Sequence, residues 1–293
     1  MTTLPPVLLE AIATAAGAPI TRLEPLGGSF GARLMRVTAG AHRFALKWAS
    51  GGAPAAMVAA EAHGLRALAA TGAVRVPAVV LALEASETQP AAVLSEWLDG
   101  GATHPDQAAL GEALAALHRY SAPAYGLDCD NFIGGTPQVN GWMEDWVAFF
   151  RARRLQPQVE RAAQAGLLSA ACHRALERLM GRLDLLLGGV RRAPSLIHGD
   201  LWGGNVVAAP GGVAALIDPA VSYSDREAEL AFTELFGGFS ARFYAAYSAA
   251  WPLEPGYADR RDLYNLYHLL NHLNLFGAGY SAQVDAIARR YAG

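Results

Sequence analysis

The chain has 293 residues, 53% of them hydrophobic and 17% charged, with 23 basic against 26 acidic side chains and a formal net charge of −3. So much apolar material excludes an intrinsically disordered chain, and 31 glycines and 16 prolines scattered without a period exclude a collagen-like one. At about 150 residues per domain the length suits two lobes, and the lack of a basic excess disfavours nucleic acid as a partner.

A short amphipathic helix is expected over 4–16, opened by Pro5 and Pro6 and closed by Gly17. Strands follow at 20–26, 33–38 and 43–49, then a helix over 54–70 ending near Gly72 and a strand pair at 79–83 and 91–97. Beyond Leu98-Asp99-Gly100-Gly101 the pattern turns helical over 105–120, 141–154, 158–165 and 169–187. A strand-rich island at 195–218 and further helices from 226 to 291 complete the chain. The expected architecture is α+β and bilobal, with a small, mostly antiparallel-sheet lobe over 1–98 and a larger helical lobe over 99–293.

Nowhere do 18 apolar residues run together, which argues against a membrane-spanning helix. Glu10 interrupts the first apolar stretch and no basic start precedes it, so a secretion signal is not expected. Cys129 and Cys172 are too few for a disulfide framework and lack zinc-site spacing; both read as reduced thiols of a cytoplasmic protein. Lys47 is the single lysine among 23 basic residues, so it marks a place where a compact ammonium is needed in preference to a planar guanidinium.

The island carries the strongest chemical signal: His198-Gly199-Asp200-Leu201-Trp202-Gly203-Gly204-Asn205, followed by Leu216-Ile217-Asp218. The spacing Asp-x-x-x-x-Asn is that of a phosphotransfer catalytic loop, in which Asp200 accepts the proton of the substrate hydroxyl and Asn205 holds metal. Two apolar arms around Pro210-Gly211-Gly212 read as a hairpin centred between the two glycines. That register sets Val206 opposite Ile217 and Asn205 opposite Asp218, an amide oxygen beside a carboxylate, which suits Mg²⁺. In the small lobe, Gly27-Gly28-Ser29-Phe30-Gly31 lies between two strands where backbone can approach phosphate. Lys47 lies on a strand resembling the Val-Ala-Ile-Lys strand of kinases, and Glu61 on the following helix is its expected ion-pair partner.

His-Gly-Asp-Leu-x-x-x-Asn is shared by aminoglycoside phosphotransferases, choline kinases and relatives with the protein-kinase-like fold. With Trp202 inside that motif, the chain resembles the fructosamine kinase (ketosamine-3-kinase) family. Asn131-Phe132-Ile133-Gly134, Arg154-Leu155-Gln156-Pro157-Gln158, Asp225-Arg226-Glu227-Ala228-Glu229-Leu230 and Tyr264 through His272 agree with it. The resemblance implies ATP- and Mg²⁺-dependent phosphorylation of the sugar 3-hydroxyl of fructosamines or ribulosamines, free or protein-bound, leading to release of the amine. It also implies Asp200 as base, Asn205 and Asp218 as metal ligands, Lys47 with Glu61 as the phosphate contact, and Glu96-Trp97-Leu98 as the hinge against adenine. Trp202 is a candidate to stack on the sugar or its carrier, and His268, Asn271 and His272, on one helical face, are candidates for a polar wall around it. Many relatives carry Cys in the glycine-rich loop; Ser29-Phe30-Gly31 here leaves redox control through that loop without a chemical basis. An aminoglycoside- or choline-type phosphotransferase is the alternative in the same class, and a non-catalytic nucleotide-binding regulator the alternative outside it. A monomer is favoured, with neither nucleic acid nor membrane as partner.

Overall fold

The computed structural model describes residues 4–100, 104–190 and 192–293. Gly101, part of the expected change of character, lies outside the described residues. Pro6 stands in the first turn of α1 (Pro6–Ala16), where its missing N–H has no helical partner to lose, and Gly17 closes the helix in the left-handed conformation. β1 (Ile20–Ser29), β2 (Ala32–Ala39) and β3 (His42–Ala49) form an antiparallel meander. After α2 (Gly52–Thr71), β4 (Val79–Leu83) and β5 (Ala91–Glu96) complete a five-stranded sheet in the order β1-β2-β3-β5-β4.

Strand alternation sends β3 side chains to two different layers. Phe44, Leu46 and Trp48 pack with Leu8 and Ile12 of α1, whereas Ala49 packs with Ala55, Val58 and Ala62 of α2. Lys47 shares the second face, which is why it meets α2.

The large lobe begins with α3 (Gln107–His118), whose first amides donate to the Asp106 carboxylate. A small hairpin, β6 (Asn131–Ile133) and β7 (Thr136–Gln138), was not expected. Two further helices differ from expectation by being joined: α4 (Trp146–Phe149) passes through a π turn at Phe150–Leu155 directly into α5 (Gln156–Gln164). The turn places Arg154 where it donates to Val139 O at 2.9 Å and Asn140 Oδ1 at 2.8 Å. The helix expected over 169–187 is broken at Arg182 into α6 (Ala170–Gly181) and α7 (Leu183–Leu187).

The strand-rich island contains β8 (Ser195–Ile197), β9 (Val206–Ala208) and β10 (Ala214–Leu216), and β8 pairs with β11 (Ser222–Ser224). The β9–β10 register corrects the expected one by a residue: Val206 faces Leu216, and the turn centres on Gly211, at φ 79°, instead of between two glycines. Asn205 therefore sits beside Ile217, whose N–H donates to its carbonyl at 3.1 Å, and Asp218 lies one position further on. Helices α8 (Arg226–Leu235), α9 (Ala241–Ala250), α10 (Tyr257–Phe276) and α11 (Ser281–Ala292) close the lobe. Leu65 and Leu68 of α2, with Val74 and Val76, share one core with Leu110, Leu114 and Tyr247, so apolar packing crosses the boundary expected near residue 98.

Candidate active site

Asp200 follows a backbone clamped from below. The buried Glu229 carboxylate of α8 accepts from the N–H groups of His198 at 3.0 Å and Gly199 at 2.6 Å, and lies 2.9 Å from His118 Nε2. Burial alone would raise the Glu229 carboxyl, but the His118 hydrogen bond and these donors hold it below the usual range. Gly199, at φ 84°, is required here, because a Cβ would lie 2.0 Å from Ala220 O. His198 accepts from the Asp200 N–H at its Nδ1, 3.3 Å, leaving Nε2 to donate to Ile217 O at 2.9 Å. Burial lowers its pKa and keeps that imidazole neutral.

Asn205 Nδ2 donates to the Asp200 carbonyl at 2.8 Å and to its carboxylate at 3.2 Å. This bond leaves the Asn205 amide oxygen as the atom to offer a cation. Burial pushes the Asp200 carboxyl up to about 7 against the opposing Asn205 hydrogen bond, with the Asp218 charge adding to the rise. Asp218, at φ 54°, is one of two non-glycine residues with positive φ among the described residues, the kind of strained backbone that functional sites hold. Its carboxylate lies 2.8 Å from Lys47 Nζ, and Glu61 of α2 lies 2.5 Å from the same nitrogen. Burial opposes the ammonium charge, but the two carboxylates outweigh it and raise the Lys47 pKa.

These residues line one cavity of about 780 Å³ between the lobes, together with Gly28, Ser29, Trp202 and His272. At Gly28 a Cβ would lie 2.1 Å from Ala32 O, so only glycine permits the tight β1–β2 hairpin at the cavity's roof. The hairpin tip, Phe30, reaches the large lobe: a Cβ on Gly135 would lie 2.4 Å from its ring. Gly27 is adjacent to the roof but does not line the cavity. Trp202 is 42% exposed, with its indole over Gly204.

Two groups of expected residues lie elsewhere. The Glu96 carboxylate accepts from Arg75 at 2.5 Å and from the Ala78 N–H at 3.2 Å, while the Trp97 N–H donates to Arg43 O and its ring lies under Arg36. Glu96, Trp97 and Leu98 do not line the cavity. The expected polar wall is corrected in part: only His272 lines the cavity. His268 stacks on Phe232 with ring centroids 3.5 Å apart, and Asn271 accepts from Gln158 at 3.2 Å, both buried. In place of a wall of amides and imidazoles, Phe236, Phe276 and Tyr280 surround His272. The spacing of His272 and Phe276, i and i+4 on α10, was a signal for one of them; Tyr280 lies beyond the helix end at Gly277 and Phe236 at the end of α8, where no spacing pointed to them.

The dense acidic run 225–229 is internal wiring, with Asp225 bound to Arg192 and Tyr264, Glu227 to Arg260, and Glu229 to the backbone of His198 and Gly199.

The model of the fructosamine kinase family matches residues 8–292. A probable ketoamine kinase of Synechocystis is 42% identical over 237 residues, which is 80% of this chain and 78% of that protein. The crystal structure of a candidate fructosamine-3-kinase from Thermobifida fusca superposes with a TM-score of 0.86 at 32% identity, covering 97% of this chain and 98% of that one. An aminoglycoside phosphotransferase superposes at 0.64 with 18% identity, covering 97% and 99%, and so shares the protein-kinase-like fold.

Proposed function

The chain belongs to the fructosamine kinase family, and on that premise we propose that it transfers the terminal phosphoryl group of ATP to the sugar 3-hydroxyl of a ketoamine, with release of the amine to follow. The observation that carries this is the convergence of Asp200, Asn205, Asp218 and Lys47 on one interlobe cavity. The hard-oxygen set of Asn205 and Asp218 fits Mg²⁺, which takes one or two protein oxygens and leaves its other positions to water and phosphate. When bound, Mg²⁺ would neutralise charge on the transferring group.

The protein's own share is positioning. Asp200 accepts the hydroxyl proton and orients the oxygen. Lys47, held by Glu61 and Asp218, supplies a fixed positive point for phosphate oxygens. The Gly28 backbone closes over them, and Trp202 and His272 border the acceptor end.

Asp200→Asn keeps the shape and removes the basicity. Turnover should fall by on the order of 10²–10⁴, with nucleotide affinity by calorimetry nearly unchanged. A variant turning over at the wild-type rate would remove Asp200 from the mechanism.

A further inference from the structure

Side chains from two segments far apart in sequence meet at the surface, outside the cavity. His63 stands on α2, while Asp128 and Cys129 belong to the large-lobe segment that leads into β6. Cys129 Sγ lies 3.9 Å from His63 Nδ1, and His63 Nε2 lies 3.8 Å from Asp128 Oδ1. One ligand atom from each residue can be chosen so that all three lie within 4.8 Å of one another. A tetrahedral Zn²⁺, with Zn–S near 2.3 Å and Zn–N near 2.0 Å, sets its sulfur and nitrogen ligands about 3.6 Å apart. One imidazole gives one ion a single nitrogen, so the Cys129 contact at Nδ1 and the Asp128 contact at Nε2 are not both kept: the Asp128 carboxylate, 67% exposed, swings toward the nitrogen that faces Cys129, or the 42%-exposed His63 ring turns, to bring all three onto one ion.

The donor set is thiol, imidazole and carboxylate. Soft sulfur with imidazole selects zinc-like transition metals over the Mg²⁺ that suits an all-oxygen site.

We propose that His63, Asp128 and Cys129 bind one Zn²⁺ with solvent as fourth ligand, clipping α2 to the large lobe. Binding converts the Cys129 thiol to a zinc-bound thiolate and gives its proton to solvent. The position gives the clip a consequence. Glu61, the partner of Lys47, lies two residues earlier on the same helix, and Gly64, one residue later, packs against Pro219 next to Asp218. Because the three ligands are gathered in the arrangement in which the Lys47–Glu61 pair is formed, an ion that binds them favours that arrangement. This second step rests on the nucleotide role proposed for Lys47; the metal site itself does not.

The test titrates Co²⁺, then Zn²⁺, into the reduced full-length protein and into Cys129→Ser and His63→Gln, both exposed positions. The wild type should take one ion per chain, Co²⁺ giving tetrahedral d–d bands and a thiolate charge-transfer band, and each variant should lose at least tenfold in affinity. A Co²⁺ spectrum without thiolate character, or unchanged affinity in both variants, would overturn the site. Nucleotide affinity is then compared at one free Zn²⁺ concentration, where the wild type should gain several-fold over its metal-free form and Cys129→Ser should not. Equal responses would overturn the clip, whereas failure of the metal-free wild type to bind nucleotide at all would overturn the kinase proposal and leave the metal site standing.

Discussion

Lys47 carries two short contacts, 2.5 Å to Glu61 and 2.8 Å to Asp218, inside a sheet–helix layer that leaves its nitrogen only part-exposed. A guanidinium keeps the charge but is planar and longer, so it cannot place one donor point between both carboxylates. Lys47→Arg should lower turnover by on the order of 10²-fold through a raised nucleotide KM and a reduced kcat, roughly 2.7 kcal/mol of transition-state stabilisation. Near-native steady-state rates would mean that the single lysine of an arginine-rich chain has no special task. Both this residue and the Asp200–Asn205 spacing were legible in the sequence because they depend on local rules: strand alternation for the first, a single loop for the second. Glu229 and His118 were not legible as the clamp under that loop, because residues 111 apart in sequence leave no spacing to read. The face formed by His268, Asn271 and His272 was read correctly as one face of α10, but a face does not say how deep each position lies. Phe232 covers His268, Gln158 covers Asn271, and only His272 reaches the cavity.

At the scale of elements, the β1–β2 hairpin is the part that forms the roof of the cavity. Its tip residue Phe30 has φ 50° and rests on the β6–β7 turn at Gly134 and Gly135, so the roof of the cavity is tied to the opposite lobe by one exposed ring. Phe30→Ala removes that tie and leaves Asp200, Asn205, Asp218 and Lys47 in place. The nucleotide KM should rise three- to tenfold, equivalent to roughly 0.7–1.4 kcal/mol, with kcat changed much less. An unchanged KM would show that hairpin docking does not contribute to nucleotide capture. This contact was invisible in the sequence, since β6 and β7 have three residues each and no hydrophobic run. The β9–β10 register shows a second limit. Pro210-Gly211-Gly212 signalled a turn correctly, but a turn with one more residue than a two-residue hairpin moves every partner by one, and composition does not fix that count. Asn205 and Asp218 still line the same cavity because Asp218 lies past the end of β10 and its positive φ turns the chain there.

At the scale of the molecule, the two lobes are joined by shared apolar packing, and the large lobe holds buried histidines that stay in one protonation state. His268 is buried against Phe232 with Nδ1 lacking a hydrogen-bond partner, and burial drives its pKa well below 6.5; His198 is lowered by burial too. The sign follows from linkage: below about pH 6.5 the unfolded chain takes up protons that the native imidazoles refuse, so stability falls as the solution is acidified. His268→Phe keeps the stacked ring and removes one such proton. Its denaturation free energy should decline between pH 6.5 and pH 5 with a slope smaller than that of the wild type by about 0.7 kcal/mol per pH unit at pH 6.5, rising to about 1.3 at pH 5. Equal slopes would place a proton on His268 in the folded protein.

No helix among the described residues is long and apolar enough to cross a membrane. That an antiparallel sheet precedes a mostly helical remainder was legible because the hydrophobic period changes from strand-like to helical. That α2 contributes to both cores was not, since its buried positions follow one helical pattern whichever lobe they meet. The claim that unites these scales is that the cavity holds ATP at Lys47 and a ketoamine sugar at Asp200. It is tested most directly by incubating the protein with ATP, Mg²⁺ and fructosyl-lysine or ribulosyl-lysine, then locating the new phosphate by NMR and following free lysine. Phosphate on the sugar 3-oxygen, with lysine appearing afterwards, is the predicted result. Efficient phosphorylation of kanamycin or choline with both ketoamines left intact would contradict the account.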